Sequence, residues 1–324
     1  MGDGLSEQGC FIGMDEAGYG PNLGPLLITV TKWRTPECPT QCEFYKALQP
    51  VVSANNHFEG KRLHLADSKV VFTGKDGFAS LERSALALLG CVGEEIDSFQ
   101  KLWSCLTRHA MSAVPEKLPP WYHADISLPV AASREQVRDL TGRLQQRLQQ
   151  AGLHLAEIHS DVVIEPRFNR LTLADGSNKS LALTRLAFAL LRRAWCPDAP
   201  GRTLFVGDKH GGRNRYDELL SEFLDGHLIF RMEEGQTLSR YRVGGTELRF
   251  QVQGEQHLPV ACASIISKYV RELAMDLFNA YWAQHCPELK PTRGYPNDAK
   301  RFRAAIEPMR LQLGIEEHVL WRER

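Results

Sequence analysis

Two adjacent carboxylates, Asp15 and Glu16, close a short apolar run, CFIGM, and are followed at once by Gly18, Gly20, Pro21, Gly24 and Pro25. Neighbouring side chains in a regular strand point to opposite faces. At a strand end the pleat breaks, and the glycines let the chain turn sharply, so both acids can reach one rim. Close carboxylates repel unless a cation neutralises them. With no His or Cys nearby, hard oxygen donors favour magnesium or manganese. Taken alone, the dipeptide reads better as one exposed acid and one loop cap.

Two more places offer matching chemistry. The run LFVG ends on Asp208, before the polar, glycine-rich KHGGRNR. Strand ends are where open α/β sheets place their chemistry. As a lone residue, Asp208 is also a plausible turn aspartate. Farther on, Ile266, Val270, Leu273 and Leu277 fall on one face of a helix spanning roughly 260–284. That assigns Glu272 to the polar side, in nearby rows with Ser264, Lys268 and Asn279, with Asp276 one turn on. Most acids on such a face are solvated, yet Ser264, Lys268 and Glu272 at i, i+4 and i+8 could line a groove facing phosphate.

The elements that must position these residues follow from periodicity and punctuation. CFIGM and LLITVTKW read as two strands of a hairpin or meander. LHLADSKVVF follows, then helices at 78–90 and 134–152, the second with Ser133 as N-cap. Residues 114–130, rich in proline, read as a connection or inserted lobe. HLAEIHSDVVIE is a strand, and residues 177–195 form a helix capped by Ser177 or Asn178. RTLFVGD, HLIFRMEEG and ELRFQVQ are strand candidates, and NDAKRFRAAIEPMRLQLG is a final helix. Strands followed by alternating helices and strands indicate an α/β or α+β sheet protein with a helical C-terminal part.

Composition narrows the class. The chain has 324 residues, 43% hydrophobic and 24% charged, enough for a substantial core. No apolar run is long enough to span a membrane, and MGDGLSEQGC has neither a basic n-region nor an apolar h-region, so the expectation is a cytoplasmic protein without membrane contact. The eight cysteines are scattered, and the Cys38–Cys42 spacing does not match a zinc site, so free thiols are expected. Formal net charge is zero. Local basic groups, such as Lys209 with Arg213 and Arg215, could still form one basic face, although each alone reads as solvated surface.

Together the landmarks resemble the type 2 ribonucleases H. GMDEAGYGPNLGPL is similar to the opening G-[IV]-D-E-[AV]-G-R-G-P, and ADSK at 66–69 to the D-S-K motif. FVGD at 205–208 matches the strand ending on the third acid. ACASIISKYVRE at 261–272 resembles A-A-S-I-x-A-K-x-x-R-D, and TRGYPNDAKRF at 292–302 resembles H-K-G-Y-x-T-x-x-H. All five motifs occur in the family's order. The resemblance implies a ribonuclease H-like α/β fold: a mixed five-stranded sheet flanked by helices, with a helical C-terminal region. It implies a catalytic domain at 10–290 with a lobe inserted at about 91–160, and a helical region at 291–324.

The implied activity is metal-dependent endonucleolytic hydrolysis of the RNA strand of RNA/DNA hybrids, and of duplex DNA containing ribonucleotides. Asp15, Glu16, Asp208 and Glu272 would be catalytic and would hold two magnesium or manganese ions. Gly18, Tyr19, Gly20, Ser68, Lys69, Ser264, Lys268 and Tyr295 would bind substrate, the glycine loop and Tyr295 meeting the ribose that carries the 2′-OH. Tyr19 stands where the family has Arg. Glu272 stands where the closest relatives have Asp, although the third type of ribonuclease H carries Glu there. Two alternatives accompany this expectation: an inactive homologue that binds nucleic acid, and a nuclease of the same fold acting on structured DNA.

Overall fold

The computed structural model describes residues 9–55, 60–74, 76–176 and 178–323. Its strands are β1 (Gly9–Ala17), β2 (Leu26–Thr35), β3 (Val52–Ser53), β4 (Leu63–His64), β5 (His154–Val163), β6 (Arg202–Asp208), β7 (Phe230–Glu234), β8 (Leu238–Val243) and β9 (Thr246–Gln251). Its helices are α1 (Phe44–Leu48), α2 (Ser68–Thr73), α3 (Gly77–Cys91), α4 (Phe99–Thr107), α5 (Arg134–Gln150), α6 (Glu165–Ala174), α7 (Lys179–Ala194), α8 (Asp217–Phe223), α9 (Leu258–His285), α10 (Pro296–Gln312) and α11 (Glu317–Leu320).

One large sheet runs β5-β2-β1-β6-β9-β8-β7. β1 pairs antiparallel with β2 and parallel with β6, and β6 pairs parallel with β9. The first five strands make the mixed sheet of a ribonuclease H-like fold. The full sheet has seven strands rather than the expected five. Gly244 and Gly245 turn β8 directly into β9, with Val243 opposite Thr246, and β7 adds antiparallel outside β8. A two-residue glycine turn suits the twist of a hairpin.

Apolar side chains leave both faces of β1, as a central strand requires. Phe11 belongs to a core shared with α3, α4, α5 and α9, while Ile12 and Met14 belong to a second core under α7 and α8. The parallel pairing of β1 with β6 sets Met14 opposite Gly207. The next residues, Asp15 and Asp208, therefore emerge at the same edge of neighbouring strands, which lie about 4.8 Å apart in any sheet.

α9 lies against β1. A Cβ at Gly13 would fall 2.3 Å from the carbonyl carbon of Pro259, so only glycine lets this helix approach so closely. The helix is buried on nearly every side for most of its length, and Glu272 is fully buried. The expectation that Glu272 sits on a polar, outward side is thus corrected. A single apolar stripe describes a surface helix, whereas α9 is enclosed by β1, β2, α3 and the connection at 120–123.

The stretch at 91–160 folds as α4, a connecting segment, α5 and the start of β5. Ser133 caps α5 through the Gln136 N–H. Buried Glu82 fastens the connection by accepting the main-chain N–H groups of Val130, Ala131 and Ala132, each at 2.7 Å. Asn178 caps α7 by accepting the Leu181 N–H at 3.0 Å, while Ser177 lies outside the described residues, as does most of the N-terminal segment. The eight cysteines are free thiols. Among the described residues, no helix is long and apolar enough to cross a membrane.

Candidate active site

The acids at the ends of β1 and β6 share one electrostatic environment. Burial pushes the Asp15 carboxyl well above the usual carboxylate range, and the charge of Glu16 adds to this. A hydrogen bond from Ser264 opposes the shift. Burial, then the charge of Asp208, pushes Glu16 up to about 7, against the pull of Lys69. Asp208 is also raised, chiefly by burial, although its Oδ1 accepts the Gly254 N–H at 3.2 Å. Three carboxylates that are costly to ionise together thus act on one another, with a lysine beside two of them. They are gathered without being closed into a cage: among the described residues, no three His, Cys, Asp or Glu side chains are placed to hold a metal ion.

The ADSK turn supplies the far side of the cluster. Asp67 caps α2 by accepting the Lys69 N–H at 2.9 Å. This cap starts the helix beside the acids, and the Lys69 charge acts on Glu16 and Asp208. Ser68 meets Ser264 of α9, hydroxyl to hydroxyl, at 3.0 Å. Of the expected site residues, the structure thus brings together Asp15, Glu16, Asp208, Ser68, Lys69 and Ser264.

The glycine loop joins them. Gly18 has φ +88°, and a Cβ there would fall 2.6 Å from the Arg271 side chain. Lys179 stands 4.9 Å over the Tyr19 ring, and the charges of Glu16 and Arg213 both act on its hydroxyl. A cation is therefore present beside position 19 even though the residue itself is Tyr. Gly20 is exposed at the loop tip. The segment carrying Tyr295 docks on the same loop, where the Gly294 carbonyl accepts the Asn22 N–H at 2.9 Å. Tyr295 is half exposed and caps α10 at that junction.

Glu272 and Lys268 are placed differently. Glu272 Oε1 pairs with Lys268 at 2.5 Å, and its Oε2 lies 2.9 Å from the Arg293 guanidinium, without hydrogen-bonding alignment. Arg293 also binds Asp276 at 3.0 Å. α9 runs alongside β1, so Ser264 is level with Asp15 while Arg271 and Glu272 are level with Gly18. Eight helical residues separate Ser264 from Glu272, an axial rise of about 12 Å. Glu272 is thus engaged by two cations rather than joined to the other three acids. Lys209, which alone read as solvated surface, is instead spent internally on the carbonyls of Arg213 and Gly235 and on Asn214 and Ser239.

Residue patterns alone missed two acids. Asp67 and Glu255 both act electrostatically with Asp208, and burial followed by the Asp208 charge raises Glu255. Asp67 had a signal, an N-cap residue before the helical SKVVFT. Glu255 sits in a short turn after β9, where periodicity carries no information.

No family model matches the chain, and no curated protein matches it. Three solved structures resemble it over most of its length. One is the PCNA:RNase HII complex from Archaeoglobus fulgidus, with 13% identity over 97% of this chain and 94% of that one, at a TM-score of 0.41. Another is ribonuclease H2 from Pyrococcus horikoshii OT3, with 15% identity over 96% and 92%, at 0.40. The third is Bst-RNase HIII in complex with Mn2+, with 13% identity over 98% and 67%, at 0.37. At such scores the fold assignment rests on the strand order and directions described above.

Proposed function

We propose that this protein is a divalent-metal-dependent endonuclease that hydrolyses the RNA strand of RNA/DNA hybrids, and acts at ribonucleotides embedded in duplex DNA. Residues 10–290 form its catalytic unit in this reading, with a lobe at about 91–160 and a helical region at 291–324. The observation that carries the proposal is the convergence of Asp15, Glu16 and Asp208 at one sheet edge beside Lys69. The Mn2+ complex among the similar structures is consistent with the choice of magnesium or manganese.

Asp15, Glu16 and Asp208 would hold the cations. Bound there, they would neutralise the carboxylates' shared charge and polarise the scissile phosphodiester. The residues of the chain do the rest. Lys69 faces the phosphate from the ADSK turn, and Ser264 holds the Asp15 carboxylate in place. Main-chain groups of Gly18 to Gly20 and the ring of Tyr295 meet the ribose, where the 2′-OH distinguishes RNA from DNA. Lys179 at the Tyr19 ring supplies a cation where the family pattern has a loop arginine. Glu272 would orient Lys268, and it would reach the cations only by leaving Lys268 and Arg293.

The engagement of Glu272 by Lys268 and Arg293 favours one competing reading, an inactive homologue that only binds hybrid. A panel of labelled substrates separates them: an RNA/DNA hybrid, a duplex with one ribonucleotide, an all-DNA duplex and a DNA junction, each with magnesium or manganese. The proposal expects cuts only in the first two. Salt-sensitive hybrid binding without cuts would establish the binding module. Cuts confined to the junction would establish a structured-DNA nuclease.

A further inference from the structure

Arg322 reaches the glycine loop from 304 positions away along the chain. Its guanidinium is fully buried and donates to the carbonyls of Gly18, at 2.5 Å, and Pro21. Phe168 supports it from below, 4.6 Å away. Main-chain groups tie the same residue to the loop: the Arg322 N–H donates to Asn22 O at 2.8 Å, and Asn22 Nδ2 donates to Arg322 O at 3.1 Å. Asn169 of α6 secures the tail, donating to Trp321 O at 2.8 Å and accepting the Glu323 N–H at 2.8 Å. The next part of the loop is held separately. Arg271 donates to Leu23 O at 3.3 Å, and Glu165 accepts the Gly24 N–H at 3.1 Å.

The direction of these bonds matters. The Gly18–Tyr19 peptide is trans, so its carbonyl and N–H point in opposite directions. With the Gly18 carbonyl drawn inward to Arg322, the Tyr19 N–H is turned to the opposite side of the loop. A planar fork that engages two carbonyls fixes an orientation in a way that a single flexible ammonium cannot.

We propose that Arg322 is a positioning residue for the substrate loop, setting the direction of the Tyr19 N–H and with it the loop's grip on a ribose. The ribose part rests on the hybrid-cleaving function proposed above; the loop part does not.

Amide hydrogen exchange of residues 18–24 tests the loop directly, in the parent, Arg322→Gln, Arg322→Lys and Asn169→Ala. The expected result is exchange at Asn22 and Leu23, whose N–H groups donate to the Gly294 carbonyl in the parent, faster by about tenfold or more in Arg322→Gln, with α9 amides protected as in the parent and unfolding still cooperative. Arg322→Lys restores part of the protection. Asn169→Ala, which loosens the tail without touching the loop, shifts the same amides by less. On hybrid substrate, KM rises about tenfold in Arg322→Gln while kcat stays within about threefold. Loop amides that exchange at the parental rate in both Arg322→Gln and Asn169→Ala would overturn the proposal. So would an equal loss of protection across the whole fold, which marks a merely structural anchor. Exchange requires no cleavage, so a parent that failed to cut hybrids would remove the proposed function and leave the loop result to be decided on its own.

Discussion

Ser264 Oγ donates to Ser68 Oγ at 3.0 Å, and Ser264 also acts on the Asp15 carboxyl, against the upward push of burial. One side chain of α9 thereby ties the ADSK turn to the first acid. A hydrogen bond to the ionised form holds a carboxyl's proton affinity down. Ser264→Ala removes that restraint, so the Asp15 carboxyl rises further and the acid limb of the pH–rate profile moves to higher pH. The expected loss is about tenfold in kcat/KM at neutral pH, with melting changed by little. A pH profile measured from 5.5 to 9 checks it, and an unmoved acid limb would contradict it.

Charge repulsion at the cluster makes a second prediction. Glu16 takes its proton near 7 in the folded chain, against an ordinary value of 4.5. The folded state therefore holds a proton that the unfolded chain has lost across that window, and Glu16 makes folding less favourable as pH rises through it. Buried His210, lowered to about 3, acts in the opposite sense, because stability is lost as pH falls below 6.5. The difference between parent and Glu16→Gln isolates the acid. Without metal, Glu16→Gln should be more stable than the parent at pH 8 by about 1–3 kcal/mol and nearly equal to it at pH 4.5. Millimolar magnesium or manganese should narrow the gap at pH 8 by stabilising only the parent. Denaturant titrations at the two pH values measure this.

The two acids near Arg293 should behave unlike each other. Glu272 is fully buried between Lys268 and Arg293, whereas the Asp276 side chain is 42% exposed. Removing one member of a buried ionic cluster leaves charge uncompensated, so Glu272→Gln should cost about 3–5 kcal/mol. Asp276→Asn should cost less than about 1 kcal/mol and leave cleavage intact. Thermal melts with single-turnover cleavage distinguish the two, and loss of activity in Asp276→Asn would move the fourth ligand to that residue.

The connection at 128–132 should depend on one residue. Glu82 accepts three main-chain N–H groups and the hydroxyl of Tyr269, at 2.9 Å. An amide offers one acceptor oxygen and brings two unwanted donors. Glu82→Gln should therefore destabilise the protein by about 2–4 kcal/mol and speed amide exchange at Val130, Ala131 and Ala132 before that of β1.

Much of the fold was legible where a residue type has a local job. Ser133 capped the helix it was expected to cap, RTLFVGD ended on Asp208, and the glycine-rich turn followed β1 as expected. The β8–β9 hairpin was not legible, although Gly244-Gly245 between LSRYRV and TELRFQ is a direct hairpin signal, because LSRYRV carries two arginines and a single branched β-former, Val243. Glu272 was misplaced because an apolar stripe says which side of a helix is buried, not whether the other side is covered as well. Glu255 and Arg322 were invisible to pattern: one depends on where a turn ends, the other on a contact between distant parts of the chain.

The most direct test is cleavage of a 5′-labelled RNA/DNA hybrid by the parent and by Asp15→Asn and Asp208→Asn, with manganese or magnesium and with chelator. The account predicts cuts in the RNA strand by the parent only with metal, and a loss of about a thousandfold or more in either variant. No metal-dependent cleavage by the parent, or parental rates in both variants, would contradict it.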